Sequence, residues 1–317
     1  METTAPTPDT VVVNQGTLAA PIEQRGVGLH AGLESQVRIL PAPPNSGRVF
    51  VRSDVEPDNT GSGAAGLSGD RSLIPATLDH VVSTQLSTEL GNGGVTVRTV
   101  EHLLAALVAM DIDNARIVLD GPEVPLLDGS ARLWAESIAA VGRKEQGVGI
   151  APFTAAPQRI SIPHPLHLQE GEAWLAAFPA SQCRLTYGID FTLAAIGHQW
   201  ASWIPDQEPF LTAIAPARTF GLAHQIDYLR QQGLIRGGSL ENALVCDDSG
   251  WLNPPLRFSN EPARHKLLDL VGDMSLLGRL PRAHIVAYRA SHRLHIQFAQ
   301  QLRASAVQPP ALSNALS

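Results

Sequence analysis

The sequence predicts layered α+β domains rather than one long parallel α/β sheet. Three observations lead there. Strand-like stretches follow one another before each helix-like stretch, the order expected of layered α+β units and not of repeated βαβ crossovers. No Gly-x-Gly-x-x-Gly fingerprint opens a helix after a strand and no Gly-Lys-Ser/Thr loop occurs, which removes the usual nucleotide-cofactor folds. The 317 residues, 44% of them hydrophobic, suit two domains of about 150 residues each.

Taken in order, the strands expected in the first half are SQVRILPA (35–42), RVFVR (48–52), VTVRT (95–99) and ARIVLD (115–120), bounded by Gly, Pro and Asn. A polar, Gly-rich loop (53–70) separates the second from the third. Thr99 is the expected N-cap of a helix EHLLAALVAM, and Ser130 starts another, ARLWAESIAAVG. RKEQGVGIAPFTAAPQ, charged and then rich in Gly and Pro, is the candidate linker. Beyond it come strands RISI, AWLAAF, RLTYGIDF, ENALVCDD and HIVAYR, with helices near 222–232, 261–278 and 292–303. The organisation expected is a loose N-terminus (1–10), a first domain (11–146), a linker (147–157), a second domain (158–304) and a loose tail (305–317). No fixed-period repeat is visible.

Composition excludes several function classes. The formal charge is −7, no basic run or aromatic stripe occurs, and only 5% of residues are aromatic, so no nucleic-acid partner is expected. Any anionic ligand must be held by local basic residues. Cys183 and Cys246 form no Cys-x-x-Cys pair, which argues against a thiolate zinc site and for a reducing compartment. The longest apolar run, Leu103 to Met110, is far short of a membrane span, and METTAPTPDT carries neither the basic nor the apolar region of a signal peptide. A cytoplasmic protein without a transmembrane segment is expected. It is expected to be a monomer, because no uncovered apolar helix face is evident.

The stretch ARHKLLDLVGD (263–273) carries the strongest chemical pattern. His265, Asp269 and Asp273 recur every four residues, and at about 100° per residue they share an arc of about 80° around the helix, opposite Leu267, Leu270, Val271, Met274 and Leu277. A His and an Asp one turn apart can point at a single cation. The same stripe is compatible with a solvated helix face.

In TVEHLLAAL, Glu101 and His102 fall in the first turn of an amphipathic helix, where Glu also suits the positive end of the helix dipole. His102, His265 and Asp269 together make the two-His, one-carboxylate inventory of a catalytic zinc site with an open position, and Glu101 is left over to serve as a base. His292, with His295 three residues on competing for the role, is a candidate to protonate a leaving amine or to stabilise an oxyanion. Thr219 in ARTFG is a hydroxyl donor before a Phe-Gly turn.

Six stretches, GVGLHAG (26–32), TVEHLLAAL (99–107), PLLDGSA (125–131), ARTFG (217–221), GGSLENALV (237–245) and RHKLLDLVGDMSLLG (264–278), resemble the UDP-3-O-acyl-N-acetylglucosamine deacetylase family in order and spacing. The resemblance spans residues 12 to 303. It implies two similar two-layer α/β sandwich domains with the active site between their helix layers. It also implies a zinc amidohydrolase, with ferrous iron as the alternative metal, that removes acetate from UDP-3-O-(3-hydroxyacyl)-N-acetylglucosamine in lipid A synthesis.

Residue by residue, the resemblance implies His102, His265 and Asp269 as metal ligands and Glu101 as the general base that activates water. It further implies His292 as the cationic acid or oxyanion stabiliser, Asp273 as the carboxylate orienting it, and Thr219 as a donor to the carbonyl oxygen. Lys266 would face the polar head of the substrate. A strand-helix-strand insert, TFGLAHQIDYLRQQGLIRGGSLENALV, would form the acyl passage, with Phe220, Ile226, Ile235, Leu240 and Val245 as its lining.

Overall fold

A computed structural model of the chain describes residues 14–55, 72–147 and 159–306. The expected loose N-terminus, the tail beyond residue 306, most of the linker and most of the Gly-rich loop lie outside these residues, and Ser305, expected to begin the tail, instead closes the last helix. Alternation builds the strands: in the segment Glu34–Pro41, Ser35, Val37 and Ile39 point inward while Glu34 and Arg38 stay exposed.

The first half contains β1 (Gln15–Leu18), β2 (Ile22–Val27), β3 (Glu34–Pro41), β4 (Arg48–Arg52), β5 (Leu73–Pro75), β6 (Val81–Ser83), β7 (Glu89–Asn92) and β8 (Val95–Arg98). Helix α1 (Glu101–Ala109), β9 (Ala115–Leu119), α2 (Arg132–Val141) and β10 (Arg143–Gln146) follow. The second half contains β11 (Leu166–Glu170), β12 (Ala173–Pro179), β13 (Arg184–Asp190), β14 (His198–Trp203), α3 (Phe210–Ala213), β15 (Phe220–Leu222) and α4 (Ala223–Gln231). It ends with β16 (Leu244–Asp247), β17 (Gly250–Trp251), α5 (Glu261–Met274), β18 (Ala283–Tyr288) and α6 (His292–Ser305). The mixture is α+β, as the order of segments predicts.

Each half contributes one five-stranded sheet, and the two share a topology. The first runs β2-β3-β9-β4-β5 and the second β11-β12-β18-β13-β14. In each the last strand of the unit enters the middle, parallel to one neighbour (β4 with β9, β13 with β18) and antiparallel to the other. The parallel pair needs a long crossover, and α1 and α5 lie in those two connections.

These two helices pack on each other. Leu103 to Leu107 of α1 are wholly buried, as are Leu267, Leu268, Leu270 and Val271 of α5. Contact is so close that a Cβ placed on Gly272 of α5 would lie 2.2 Å from the backbone oxygen of Glu101. Glycine is therefore what lets the start of α1 rest against the helix bearing His265 and Asp269.

Several expected elements differ in detail. RKEQ is not linker but β10, paired antiparallel with β1 from Gln15↔Gln146 to Leu18↔Arg143. RISI makes only an isolated bridge, Ser161 to Arg282, and ENALVCDD contracts to β16. The helix expected at 261–278 ends at Met274 and tightens into a 3-10 turn, Ser275–Leu277. Thr99 does not cap α1: it takes a left-handed φ of 57°, Val100 occupies the cap position, and the Thr99 hydroxyl donates to Glu123 Oε1 at 2.6 Å.

Candidate metal centre and active site

Pro262 near the start of α5 suits the first turn, where its missing N–H is no loss, and the helix then runs fourteen residues. His265, Asp269 and Asp273 do lie along one stripe, but that stripe is not solvated. They are 2%, 2% and 0% exposed, so the alternative of a water-facing polar surface fails. Buried charges and imidazoles at this density need partners, and the partners define the site.

His102 Nε2 stands 3.5 Å from Asp269 Oδ1 and His265 Nε2 stands 3.4 Å from the same oxygen. Asp269 Oδ1 has no hydrogen-bond partner although it is buried. One nitrogen from each imidazole and one carboxylate oxygen lie within 4.8 Å of one another. An orphaned buried carboxylate oxygen facing two imidazole nitrogens is costly unless a cation joins them. The donor set therefore fits a divalent metal.

The surroundings favour ligation. His265 Nδ1 bonds the carbonyl of Ala217 at 3.1 Å, which fixes the proton on that nitrogen and leaves the Nε2 lone pair free. Burial, reinforced by His102 and Lys266 against the pull of Asp269, lowers the His265 pKa to about 4, so its ring is neutral near pH 7. Burial alone would raise the Asp269 carboxyl, but His265, the Lys266 ammonium and a hydrogen bond from His102 hold it well below the ordinary carboxylate range. Lys266 Nζ donates to Asp269 Oδ2 at 2.9 Å.

A second cluster, Asp273, His292 and His295, has comparable spacing but a different chemistry. Asp273 Oδ2 accepts from His292 Nδ1 at 2.7 Å and from His295 Nδ1 at 2.8 Å, and Oδ1 accepts from the Thr88 hydroxyl at 2.6 Å. Both carboxylate oxygens are thus satisfied, and the group orients imidazoles rather than awaiting a metal. Burial opposes protonation of His292, yet the charge and hydrogen bond of Asp273, with Glu101 and Asp269 nearby, raise its pKa to about 9. His292 is a cation at neutral pH. Its sequence competitor His295 is pushed the other way by burial and meets Tyr187, whose hydroxyl donates to Ala290 and lies 3.3 Å from His295 Nε2.

Glu101 sits between the clusters. Its Oε1 is 4.0 Å from His292 Nε2, and Oε2 accepts from the Thr88 backbone N–H at 3.1 Å. Burial raises its pKa against the opposing charges of His292 and His102, which suits a carboxylate that must pick up a proton. Thr88, which binds both Glu101 and Asp273, carries no signal in the sequence, and neither does the Ala217 carbonyl.

Phe220, Ile226, Ile235, Leu240 and Val245 all line one largely apolar cavity of about 370 Å³, together with Thr219 and His30. It is formed around β15, α4 and β16, where β15 and β16 pair in parallel across α4. The Phe220 ring meets the edge of the His265 ring at 6.3 Å between centroids, so the cavity opens beside the His102, His265 and Asp269 donor set. Lys266 lies on a second, more polar cavity of about 380 Å³ with Tyr187, Asp190, Thr192, Gln225 and Arg289. The residues expected at the site therefore lie in the two clusters, between them in the case of Glu101, or on the two cavities beside them.

The profile of the LpxC family, UDP-3-O-acyl N-acetylglycosamine deacetylase, matches residues 15–304. The chain belongs to the LpxC family. It is 55% identical over 297 residues to the UDP-3-O-acyl-N-acetylglucosamine deacetylase of Nostoc sp., covering 92% of this chain and 99% of that one. The enzyme of the same name from Trichormus variabilis is likewise 55% identical, over 92% of this chain and 99% of its own. A relative from Arabidopsis thaliana, named probable UDP-3-O-acyl-N-acetylglucosamine deacetylase 1, mitochondrial, is 40% identical over 91% of this chain and 87% of its own. Among the described residues no helix is long and apolar enough to cross a membrane.

Proposed function

We propose that this LpxC-family chain hydrolyses the N-acetyl group of UDP-3-O-(3-hydroxyacyl)-N-acetylglucosamine, releasing acetate in the committed step of lipid A biosynthesis. The observation that carries the reading is the shared wall of Phe220, which faces the apolar cavity and also touches His265 of the buried donor set. A reactive centre beside an apolar cavity suits a polar sugar amide that carries a fatty acyl chain.

His102, His265 and Asp269 would hold the metal, and two imidazoles with a carboxylate favour zinc, with ferrous iron the alternative. When bound, the ion supplies Lewis-acid chemistry, polarising a carbonyl and acidifying water. Glu101 takes a proton from the attacking water as its oxygen bonds to the acetyl carbon. His292, held protonated by Asp273, stabilises the developing oxyanion and delivers a proton to the departing nitrogen. The C–N bond then breaks, leaving acetate and the free amine. Thr219 donates to the carbonyl oxygen, and Lys266 faces the polar part of the substrate from its cavity.

Residues 11–146 and 158–304 act as the two domains, joined by the linker 147–157, with Glu101 and His102 contributed by the first and His265, Asp269 and His292 by the second. The repeated sheet topology supports that division. The protein is taken to be a cytoplasmic monomer. The test is to compare Glu101→Ala with His265→Ala for metal content and acetate release. Glu101→Ala should keep its metal and lose at least about a hundredfold in turnover, the usual worth of a positioned base. His265→Ala should lose both metal and turnover. An active Glu101→Ala enzyme would remove Glu101 from the role of base.

A further inference from the structure

GVGLHAG and the residues just before PLLDGSA have no part in the chemistry just described. They meet at Glu123. This side chain is 3% exposed and lies at the junction of three segments that bracket the site.

Its carboxylate accepts the backbone N–H of His30 at 2.9 and 3.0 Å and that of Ala31 at 2.8 Å. It also accepts the Thr99 hydroxyl at 2.6 Å, while the Glu123 carbonyl accepts the Ser35 hydroxyl at 2.7 Å. A Cβ on Gly28 would fall 2.6 Å from Glu123 Oε2, so the loop approaches the carboxylate as closely as glycine permits. Arg98 and Val124 add backbone bonds, Arg98 N–H to Pro122 and Val124 N–H to Arg98, that align the same segments.

What this junction restrains is strained. Thr99 is β-branched and has a φ of 57°, a conformation such residues adopt only where the surroundings impose it. Two residues on is Glu101. Across the carboxylate, His30 lines the apolar cavity beside Thr219 and Phe220. One buried group thus grips both the turn that presents the base and the loop that walls the cavity.

We propose that Glu123 is a positioning residue for the reaction, setting the base through Thr99 and the acyl cavity through the backbone of His30 and Ala31. The inference rests on the reading of the site as an acylated-sugar deacetylase. It divides the two functions between separable bonds. The Thr99 bond bears on turnover, and the His30 and Ala31 bonds bear on recognition of the acyl chain.

The experiment measures kcat, KM and metal content for wild type, Thr99→Val, Thr99→Ser and Glu123→Gln, with substrates bearing a long and a short 3-O-acyl chain. Thr99→Val removes only the hydroxyl bond. It should lower kcat about ten- to a hundredfold, the scale of a misplaced catalytic group, with KM and metal content unchanged. Thr99→Ser keeps the hydroxyl and should restore kcat to within about threefold of wild type. Glu123→Gln places an NH₂ where N–H groups point. It should raise KM for the long-chain substrate while leaving the short-chain KM in place; its remaining oxygen can still accept the Thr99 hydroxyl, so the effect on kcat is read from the Thr99 variants.

Wild-type kcat in Thr99→Val, or no rescue by Thr99→Ser, would overturn the proposal while leaving the deacetylase reading intact. Equal KM changes for both chain lengths in Glu123→Gln would overturn its second half. If Glu123→Gln does not fold, the two Thr99 variants still decide the first half. Absence of turnover in wild type would instead refute the function on which the inference rests.

Discussion

Gly272 offers the sharpest perturbation of the site, because it is the point where α5 touches the first residue of α1. In Gly272→Ala the new methyl would meet the Glu101 oxygen at 2.2 Å, its carbonyl carbon at 2.8 Å and its Cα at 2.9 Å. All three are backbone atoms and cannot rotate away. Relaxing from 2.2 Å to an ordinary contact of 3.4 Å requires the helices to part by about 1.2 Å at this point. That displacement carries Glu101 and His102 away from Asp269 and His265.

Stability should change modestly. Overpacking costs about 1–3 kcal/mol, and replacing a helical glycine by alanine returns up to about 1 kcal/mol. Catalysis should change far more, since a displacement of about 1 Å can cost on the order of a hundredfold. The assay is acetate release alongside metal stoichiometry and a thermal melt. Turnover should fall by about two orders of magnitude, with weakened metal retention and a small fall in Tm. Gly272→Ala enzyme with wild-type turnover and full metal content would refute the argument that this contact sets the register of the two helices at the site.

Three further predictions concern charge, chain length and the polar cavity. His292 is held to about 9, above its ordinary 6.5, so turnover that needs its proton should fall as pH rises through about 9, and Asp273→Asn should move that alkaline limb to lower pH. The sign for stability is the same: the contribution of His292 is fully present below about 6.5 and is lost as pH rises through about 9, which melts as a function of pH should show. At about 0.8 kcal/mol per buried methylene, shortening the acyl chain by about four carbons should lower kcat/KM on the order of a hundredfold, and Ile235→Asp should erase that preference. Lys266→Met removes the ammonium beside Asp269 and on the polar cavity and should raise KM for the sugar nucleotide, a change that competition by free UDP would report.

Much of the site is written in local periodicity. Steps of four place His265, Asp269 and Asp273 on one side of a helix whatever that helix packs against, and the adjacent Glu101 and His102 announce a helix start. What periodicity does not contain is the environment. Whether the acid/histidine stripe of α5 is wet or dry depends on α1 and α6, and only the packed structure shows that it is buried. Thr88 stayed hidden because its bond to Asp273 spans 185 residues.

Thr99 misled for a related reason. A threonine before Val-Glu-His reads as a cap by local preference, but its hydroxyl donates to Glu123, 24 residues on, and its backbone lies in the left-handed region. The duplication of the fold, which the resemblance implies as two similar domains, leaves no repeat visible in the residues themselves. An inward position asks only for an apolar residue of suitable size, so Val37 and Ile39 of β3 and Leu175 and Ala177 of β12 fill corresponding strands without resembling one another.

The most direct test of the whole account is acetate release from UDP-3-O-(3-hydroxymyristoyl)-N-acetylglucosamine by the purified chain, before chelation, after chelation and after zinc is restored. Turnover should be abolished by chelation and returned by zinc if His102, His265 and Asp269 hold the catalytic metal as proposed. Turnover that persists after the metal has been stripped, or no turnover from fully metallated protein, would contradict the account.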